Sequence, residues 1–172
     1  KFAVVRYGNV MGSRGSVIPF FESIKHQGVI PITDERMTRF MISLEEGVEL
    51  VWTAMKDMVG GEIYVKKIPS MKVTELAKVI APNCSIKIIG IRPGEKLHEQ
   101  MIGLEDAPTT YLYDGYYKIL PAINDWSLDE SRIKEGKKVD SNFVYSSENN
   151  DEWMTSDQLK AWINKNTQNK DE

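Results

Sequence analysis

Five of the six arginines occur within the first 92 residues, and their side-chain type favours anion-binding chemistry. They lie at predicted strand ends or in loops, beside glycine, proline or polar residues: Arg6, Arg14, Arg36, Arg39 and Arg92. A guanidinium makes paired hydrogen bonds to phosphate oxygens, each contributing about 1.5 to 3 kcal/mol. Several of them converging would form a diphosphate site, whereas any one alone is more often a surface ion pair of little energetic value.

Two loops could present these charges to a ligand. The first runs from Arg6 to Ser16 between a predicted strand and a predicted helix, where outward N–H groups and the helix dipole favour an anion. Its Gly-x3-Gly-x2-Gly spacing matches neither a dinucleotide fingerprint nor a P-loop, so a plain tight turn is an equal interpretation. The second, Arg92-Pro93-Gly94-Glu95-Lys96, is a stiff turn that could bind phosphate and position a hydroxyl. Its plainer interpretation is a solvated turn before a helix over 97–102.

Alternating strands and helices would position these loops. The short apolar run Phe2 to Val5 predicts a strand buried on both faces, as in a parallel sheet. Ser16 is placed to cap a helix that ends before Gly28. We further predict a strand over 62–66, a helix over 73–80, a strand over 86–89 and a hairpin around Asp114-Gly115. This alternation predicts an α/β fold.

Two further helices carry capping boxes and an apolar stripe. Ser43 with Glu46 begins one helix, and Thr155 with Gln158 begins the last. We expect Trp52, Met55 and Met58 to form one buried face of the first helix, and Trp162 to be a core or docking residue. The first stripe comprises Leu44, Val48, Val51, Trp52 and Met55, and the second comprises Leu159, Trp162 and Ile163.

Composition limits the class of function. The 172 residues have a formal net charge of −3, which argues against nonspecific binding to nucleic acid or anionic membrane. There is no apolar run of about 18 residues for a membrane span, so we expect a soluble, cytoplasmic protein. A single cysteine and two histidines provide no zinc spacing, and we expect no metal. The first residue is not methionine and an apolar run follows at once, so we expect the chain to begin inside a larger sheet.

Five long motifs occur in order along the chain. They are VRYGNVMGSRGSVIPFF (5–21), PITDERMTRF (31–40), GEIYV (61–65), KIPSMK (67–72) and GIRPGEKLHE (90–99). Together they resemble the inverting UDP-N-acetylglucosamine 4,6-dehydratases, which are lyases of the extended short-chain dehydrogenase/reductase superfamily. Those enzymes begin pseudaminic acid synthesis, and close relatives serve polysaccharide capsule synthesis. The likeness continues through YSSENN (145–150) and covers nearly the whole chain.

The resemblance implies roles for individual residues. Asn9 would contact the sugar nucleotide, and Val10 would lie beside the nicotinamide. Arg39 and Arg92 would bind the diphosphate, with Glu95 supporting the second loop. The substrate would be wrapped at the helix N-terminus by Arg14, Gly15, Ser16, Val17 and Ile18.

The family's chemistry depends on groups outside this chain. In the family, NADP oxidises the sugar C4 hydroxyl, water leaves across C5 and C6, and hydride returns to C6 with inversion at C5. The Gly-rich fingerprint and the Tyr-x-x-x-Lys pattern are absent here, so we expect the catalytic residues and most NADP contacts in an amino-terminal half. We expect this segment alone to be inactive and the full-length protein to form a homo-oligomer.

The resemblance also implies a fold and a division of the chain. We expect the last strands of a Rossmann-type parallel sheet plus a smaller C-terminal substrate-binding α/β domain. Residues 1–10 and 62–67 would supply sheet strands, 11–61 and 68–124 the substrate-binding region, and 125–172 a C-terminal extension with a terminal helix. Two alternatives remain: a stand-alone, non-catalytic module that binds sugar nucleotides, and a related sugar-nucleotide epimerase or reductase.

Overall fold

The computed structural model describes residues 1–123 and 129–168, with side chains through residue 165. Within these ranges the chain is mixed α/β, as predicted. The helices are α1 (Val17–Ile24), α2 (Leu44–Asp57), α3 (Val73–Ile80), α4 (Glu130–Ile133) and α5 (Ser156–Gln168). The strands are β1 (Val4–Arg6), β2 (Asn9–Val10), β3 (Val29–Ile32), β4 (Thr38–Ile42), β5 (Ile63–Lys66), β6 (Ser70–Lys72), β7 (Ser85–Ile88), β8 (Gln100–Ile102), β9 (Thr110–Tyr113), β10 (Tyr116–Ile119), β11 (Lys137–Lys138) and β12 (Tyr145–Ser146).

The largest sheet has five strands in the order β1-β5-β10-β9-β11. β1 and β5 are parallel, while the other pairs are antiparallel. The predicted hairpin is confirmed as β9 and β10, and Gly115 adopts the left-handed φ of 74° that its tight turn requires. This sheet therefore combines two parallel strands that are distant in sequence with a local antiparallel hairpin.

The first strand is not buried on both faces, contrary to the prediction. Ala3 and Val5 pack towards Tyr64, whereas Phe2 is 89% exposed and Val4 is 54% exposed. The physical reason is position: in the described part of the chain β1 lies at the edge of its sheet and pairs only with β5.

The predicted burial of Trp52 and Met55 on α2 is also wrong, whereas Met58, which follows the helix, packs against a buried cluster as predicted. The N-terminal capping box of α2 is confirmed, because Ser43 accepts a hydrogen bond from the Glu46 N–H and the Glu46 carboxylate accepts one from the Ser43 N–H. However, α2 buries a different face, which carries Gly47, Leu50 and Ala54 and packs on Tyr64. The predicted stripe is exposed along its length: Leu44, Val48, Val51, Trp52 and Met55.

A first core lies where α1, α3 and α5 pack beside the parallel pair β3 and β7. The terminal capping box is confirmed by reciprocal bonds between Thr155 and Gln158. Leu159 is fully buried in this core, and Trp162 and Ile163 pack against it, as predicted. The C-terminal helix is therefore an integral part of this core.

A second core lies between the large sheet and a three-stranded sheet in the order β2-β4-β6. Phe40 of β4, Val65 of β5 and Tyr145 of β12 meet there. The predicted helix over 97–102 is wrong, because residues 100–102 form β8 and pair with β12. None of the helices in the described ranges combines the length and hydropathy needed to cross a bilayer.

Candidate functional site

A cavity of about 260 Å³ brings together segments from four parts of the chain. Its polar lining includes Asn9, Arg39, Arg92 and Glu95, all of which were candidate residues. Its apolar lining comes largely from α1 and β3, with Val17, Phe20, Phe21, Pro31 and Ile32. A cavity with a few convergent polar groups against apolar walls is the usual form of a small-molecule site.

Strand pairing explains how these distant residues meet. β3 and β7 are parallel and in register from Val29 to Ile32, so their carboxyl ends lie at the same edge. Thr33 follows β3, and the turn containing Arg92 and Glu95 follows β7. Likewise β2 pairs in parallel with β4, with Asn9 opposite Met41. Strand pairing thus brings Asn9 beside the strand that carries Arg39, and Thr33 beside the turn that carries Arg92 and Glu95.

Glu95 fastens its own turn. Its carboxylate accepts a hydrogen bond of 2.9 Å from the Thr33 hydroxyl and one of 3.3 Å from the Arg92 backbone N–H. Gly94, with φ of 82°, supplies the left-handed conformation of this turn. The Arg92 side chain remains exposed beside the cavity. Glu95 therefore holds the loop that presents the Arg92 guanidinium.

Arg39 connects β4 to the same loop. Its guanidinium donates to the carbonyl oxygens of Thr38 at 2.7 Å, Leu97 at 2.9 Å and Lys96 at 3.0 Å. These partners are neutral carbonyls and not a carboxylate, so the positive charge is not cancelled by an ion pair in these bonds. Arg39 lines the cavity and can offer that charge to an anion.

The other three early arginines have different positions. Arg36 forms a bidentate pair with Asp34, at 2.9 and 2.8 Å, and its hydrogen bonds lower the pKa of Asp34 to about 2. Arg6 donates to the Met101 carbonyl at 2.6 Å and pairs with Asp106 at 3.2 Å. Arg14 is exposed in the glycine loop and is not among the cavity-lining residues.

The N-terminus of α1 contributes in part. Gly15 and Val17 line the cavity, whereas Ile18 is buried in the first core. Ser16 occupies the N-cap position but makes no capping bond with its side chain. Within the described residues its Oγ is buried and has no hydrogen-bond partner. Unlike Gly15 and Val17, Ser16 is not among the residues that line the cavity.

A second cavity, of about 360 Å³, adjoins the first and shares Asn9 as a wall. Arg6, Lys96 and Glu99 also line it. Val10, the predicted nicotinamide neighbour, is half-buried in β2 and packs against the second core. Asn9 therefore lies between the two cavities.

The sequence did not single out several residues that hold this site. The Thr38 hydroxyl lies 2.7 Å from His98 Nδ1 and 2.7 Å from Ser147 Oγ, and His98 Nε2 lies 3.3 Å from Glu148. Ser147 and Glu148 lie in the YSSENN motif, whose contacts no local pattern indicated. Glu99 lies in the GIRPGEKLHE motif, yet no local pattern indicated its partners. These contacts join the C-terminal segment to the Arg92 loop.

Two curated proteins are similar in sequence to this chain. The chain is 52% identical to the UDP-N-acetylglucosamine 4,6-dehydratase (inverting) of Campylobacter jejuni, over 95% of this chain and 51% of that protein. It is 38% identical to a UDP-glucose 4-epimerase of Rickettsia typhi, over 85% of this chain and 44% of that protein. The chain spans about half the length of the curated relatives it matches.

A solved structure, that of Pen from Bacillus thuringiensis, has a similar fold. The TM-score is 0.81 at 31% identity, over 97% of this chain and 51% of that chain. This likeness confirms the α/β fold class. A family model described as "Polysaccharide biosynthesis protein" matches residues 1–121. Because this match covers more than half of the 172 residues, the chain belongs to the polysaccharide biosynthesis protein family.

Proposed function

We propose that this chain is the sugar-nucleotide binding portion of a C5-inverting UDP-N-acetylglucosamine 4,6-dehydratase. The observation that carries the proposal is the convergence of Asn9, Arg39, Arg92 and Glu95 on one cavity from separate segments. The 52% identity to the Campylobacter jejuni dehydratase supports this choice of substrate. The division of the chain into sheet strands 1–10 and 62–67, a substrate-binding region and an extension from 125 belongs to the same proposal.

The lining of the cavity suits a nucleoside diphosphate sugar. Arg39 and Arg92 would face the diphosphate, where paired hydrogen bonds from guanidinium groups are strongest. The N-terminus of α1, where Gly15 and Val17 line the cavity, would add polar contacts from backbone N–H groups. The apolar walls from α1 and β3 would bury the flat or aliphatic parts of the ligand.

The residues of this chain provide few of the features of a dinucleotide-binding site. Val10, which would lie beside the nicotinamide, is half-buried and packs against the second core, and the first glycine loop lacks the dinucleotide spacing. The amino-terminal half would therefore hold NADP, which supplies hydride removal at C4 and hydride return at C6 when bound. This chain would orient the sugar nucleotide towards that half, and the proton-transfer groups would belong to the half as well.

The exposed apolar surface at β1 supports docking of such a half. α2 packs against both β1 and β5, and its apolar stripe, which includes Val48, is exposed. Phe2 and Val4 are exposed at the β1 edge of the same sheet. An added parallel strand and helix would cover both.

Calorimetry tests the binding proposal. We expect UDP-N-acetylglucosamine to bind the chain and Arg92→Ala to weaken binding at least tenfold, because a charge-assisted contact to the diphosphate is lost. Arg36→Ala is the matched control, since that arginine pairs with Asp34 outside the cavity lining. Equal effects of the two substitutions would contradict the assignment of Arg92.

Product analysis tests the reaction. We expect the protein joined to an amino-terminal half to convert UDP-N-acetylglucosamine to a 4-keto-6-deoxy sugar with inverted C5, as read by NMR. A product that keeps its C6 hydroxyl and is inverted at C4 would instead favour an epimerase, the activity named for the Rickettsia typhi relative. Binding without turnover, even with that half present, would favour a non-catalytic module.

Location and assembly are part of the same proposal. A reaction that draws on free UDP-sugar and NADP suits the cytoplasm, and we expect the full-length protein to assemble as a homo-oligomer. Sedimentation of the full-length protein would test the assembly.

A further inference from the structure

A carboxylate outside the candidate set bridges two elements of the site. Glu99 Oε1 accepts a hydrogen bond of 2.9 Å from Asn9 Nδ2, and Glu99 Oε2 accepts one of 2.8 Å from the Phe40 backbone N–H. Asn9 and Glu99 are 90 residues apart in sequence. The side chain therefore ties the start of β2 to β4 at the wall between the two cavities.

This contact determines which way the Asn9 amide points. The amide nitrogen faces Glu99 and, at 3.3 Å, the Phe40 carbonyl oxygen. Both partners are acceptors, so the amide cannot be turned over without placing oxygen against oxygen. The bond to the carboxylate is short and charge-assisted, whereas the bond to Phe40 is long. The N–H directed at the Phe40 carbonyl is therefore the one that can be donated to a ligand oxygen instead.

Glu99 is itself held from the other side by the C-terminal segment. Its backbone N–H donates to Ser147 Oγ at 2.9 Å, and the Ser147 N–H donates to the Glu99 carbonyl at 2.8 Å. Ser147 Oγ also donates to the Thr38 carbonyl at 3.2 Å. The backbone of Glu99 is therefore fixed before any ligand arrives, which is what preorganisation of a polar contact requires.

We propose that Glu99 is a positioning residue, which orients the Asn9 amide towards a sugar nucleotide without touching the ligand itself. The choice of ligand rests on the proposed function, whereas the contact between the two side chains does not. If Glu99 acted only through its negative charge, neutralising it near a diphosphate site would tighten ligand binding. A positioning role predicts weaker binding.

The variant Glu99→Gln tests the role. Glutamine has one acceptor oxygen for two donors, so its NH₂ group meets either Asn9 or Phe40. When it meets Asn9, the Asn9 amide turns and presents oxygen where it presented N–H. We expect UDP-N-acetylglucosamine to bind at least tenfold more weakly to this variant in calorimetry. Tighter or unchanged binding overturns the proposal.

Glu62→Gln is the matched control. Like Glu99, Glu62 accepts two hydrogen bonds through its carboxylate, in this case from the backbone N–H groups of Val59 and Gly60. Glu62 is buried and pairs with Arg132. It is not among the residues that line the two cavities. We expect this control to lower the melting temperature and leave ligand affinity within twofold. An equal loss of affinity in the control would assign the Glu99 effect to general destabilisation and overturn the proposal.

A double-variant cycle shows whether Glu99 acts through Asn9. We expect Asn9→Ala to weaken binding and Glu99→Gln to add less than twofold in that background. If the double variant instead loses affinity by the product of the two single-variant factors, Glu99 does not act through Asn9 and the positioning role is overturned.

A ligand-free measurement separates this inference from the proposed function. In ¹⁵N NMR at constant pH, we expect the Asn9 side-chain amide signal, identified by its loss in Asn9→Ala, to shift between the wild-type protein and Glu99→Gln, because its hydrogen-bond acceptor changes from a carboxylate to a neutral amide. The signal should stay nearly still in Glu62→Gln. If wild-type protein binds no sugar nucleotide, the proposed function fails while this signal still decides the contact. An Asn9 signal at the same position in the wild type and in Glu99→Gln would overturn the inference.

Discussion

Helices α2 and α5 begin alike and are held to the protein by different means. Both start at a capping box and both carry an apolar stripe at helical spacing. The stripe of α5 is buried on the first core, where Leu159 is fully covered and Trp162 packs against Gly12. The stripe of α2 faces solvent in the described structure, and Met55 is 56% exposed.

A polar anchor and a narrow apolar face hold α2 in place. Asp57 at its last turn accepts hydrogen bonds of 2.7 Å from both Lys118 and the Tyr64 hydroxyl, and it also pairs with Lys134. Lys118 is almost completely buried, and its ammonium lies 4.6 Å from the centre of the Tyr113 ring. The comparison teaches that helical periodicity identifies an apolar stripe but does not say whether a partner covers it.

Removing the charge of Asp57 should cause the greatest loss of stability among the substitutions considered for these two helices. We expect Asp57→Asn to lower the free energy of unfolding by about 3 to 5 kcal/mol, because it leaves the buried Lys118 ammonium without its counter-charge. Urea unfolding at pH 7 measures this. Asp157→Asn on α5 is the control, since that aspartate is almost fully exposed and should change little. Similar costs for both would contradict the anchor.

The same anchor predicts a dependence on acid. Burial alone would raise the pKa of Asp57, but hydrogen bonds from Lys118, Lys134 and Tyr64 lower it from 3.8 to about 2. A carboxyl whose pKa is lower in the folded state stabilises the protein above pH 4, and this contribution is lost as pH falls from about 4 to about 2. Urea unfolding across this range should show the loss in wild type and a smaller loss in Asp57→Asn.

The apolar attachment of α5 is tested by Leu159→Ala. We expect a loss of about 2 to 5 kcal/mol, since a fully buried leucine leaves a cavity when truncated. Thermal or urea unfolding gives the value. A loss below about 1 kcal/mol would mean that α5 is a peripheral helix and that the contrast with α2 is false.

We expect a smaller loss of stability from changes in the glycine loop, where Trp162 of α5 packs against Gly12. Gly12 has φ of 76°, and an added Cβ would lie 3.0 Å from the Trp162 ring. Gly15 has nearly the same φ, 77°, with open space around its Cβ position. We expect each alanine variant to lose about 1 to 2 kcal/mol from backbone strain, with Gly12→Ala the costlier of the two in urea unfolding. Equal losses would show that Trp162 does not constrain the loop.

The smallest expected effect lies on the exposed stripe. We expect Met55→Ala to change the free energy of unfolding by no more than about 0.5 kcal/mol, because the side chain is largely exposed. Leu50→Ala, on the buried face of the same helix, should cost about 2 to 5 kcal/mol in the same assay. A large cost at Met55 would show that the stripe is already covered in the isolated chain.

Local signals in the sequence predicted much of the fold. The capping boxes at Ser43 and Thr155, the Asp114-Gly115 turn and the helix over 73–80 depend on neighbours within a few residues, and all are confirmed. The error over 97–102 has a different origin. Helix and strand compete there, and pairing of β8 with Tyr145 and Ser146, more than 40 residues away, decides the outcome.

The candidate site shows the same division. The residue types of the site were evident from the sequence, with Asn9, Arg39, Arg92 and Glu95 in loops or at strand ends. Long-range contacts place these four residues around one cavity, leave Arg36 outside it and bring the Glu99 carboxylate to the Asn9 amide. Caps, turns and periodicity depend on residues close together in sequence, whereas strand pairing and hydrogen bonds between residues far apart along the chain assemble a site.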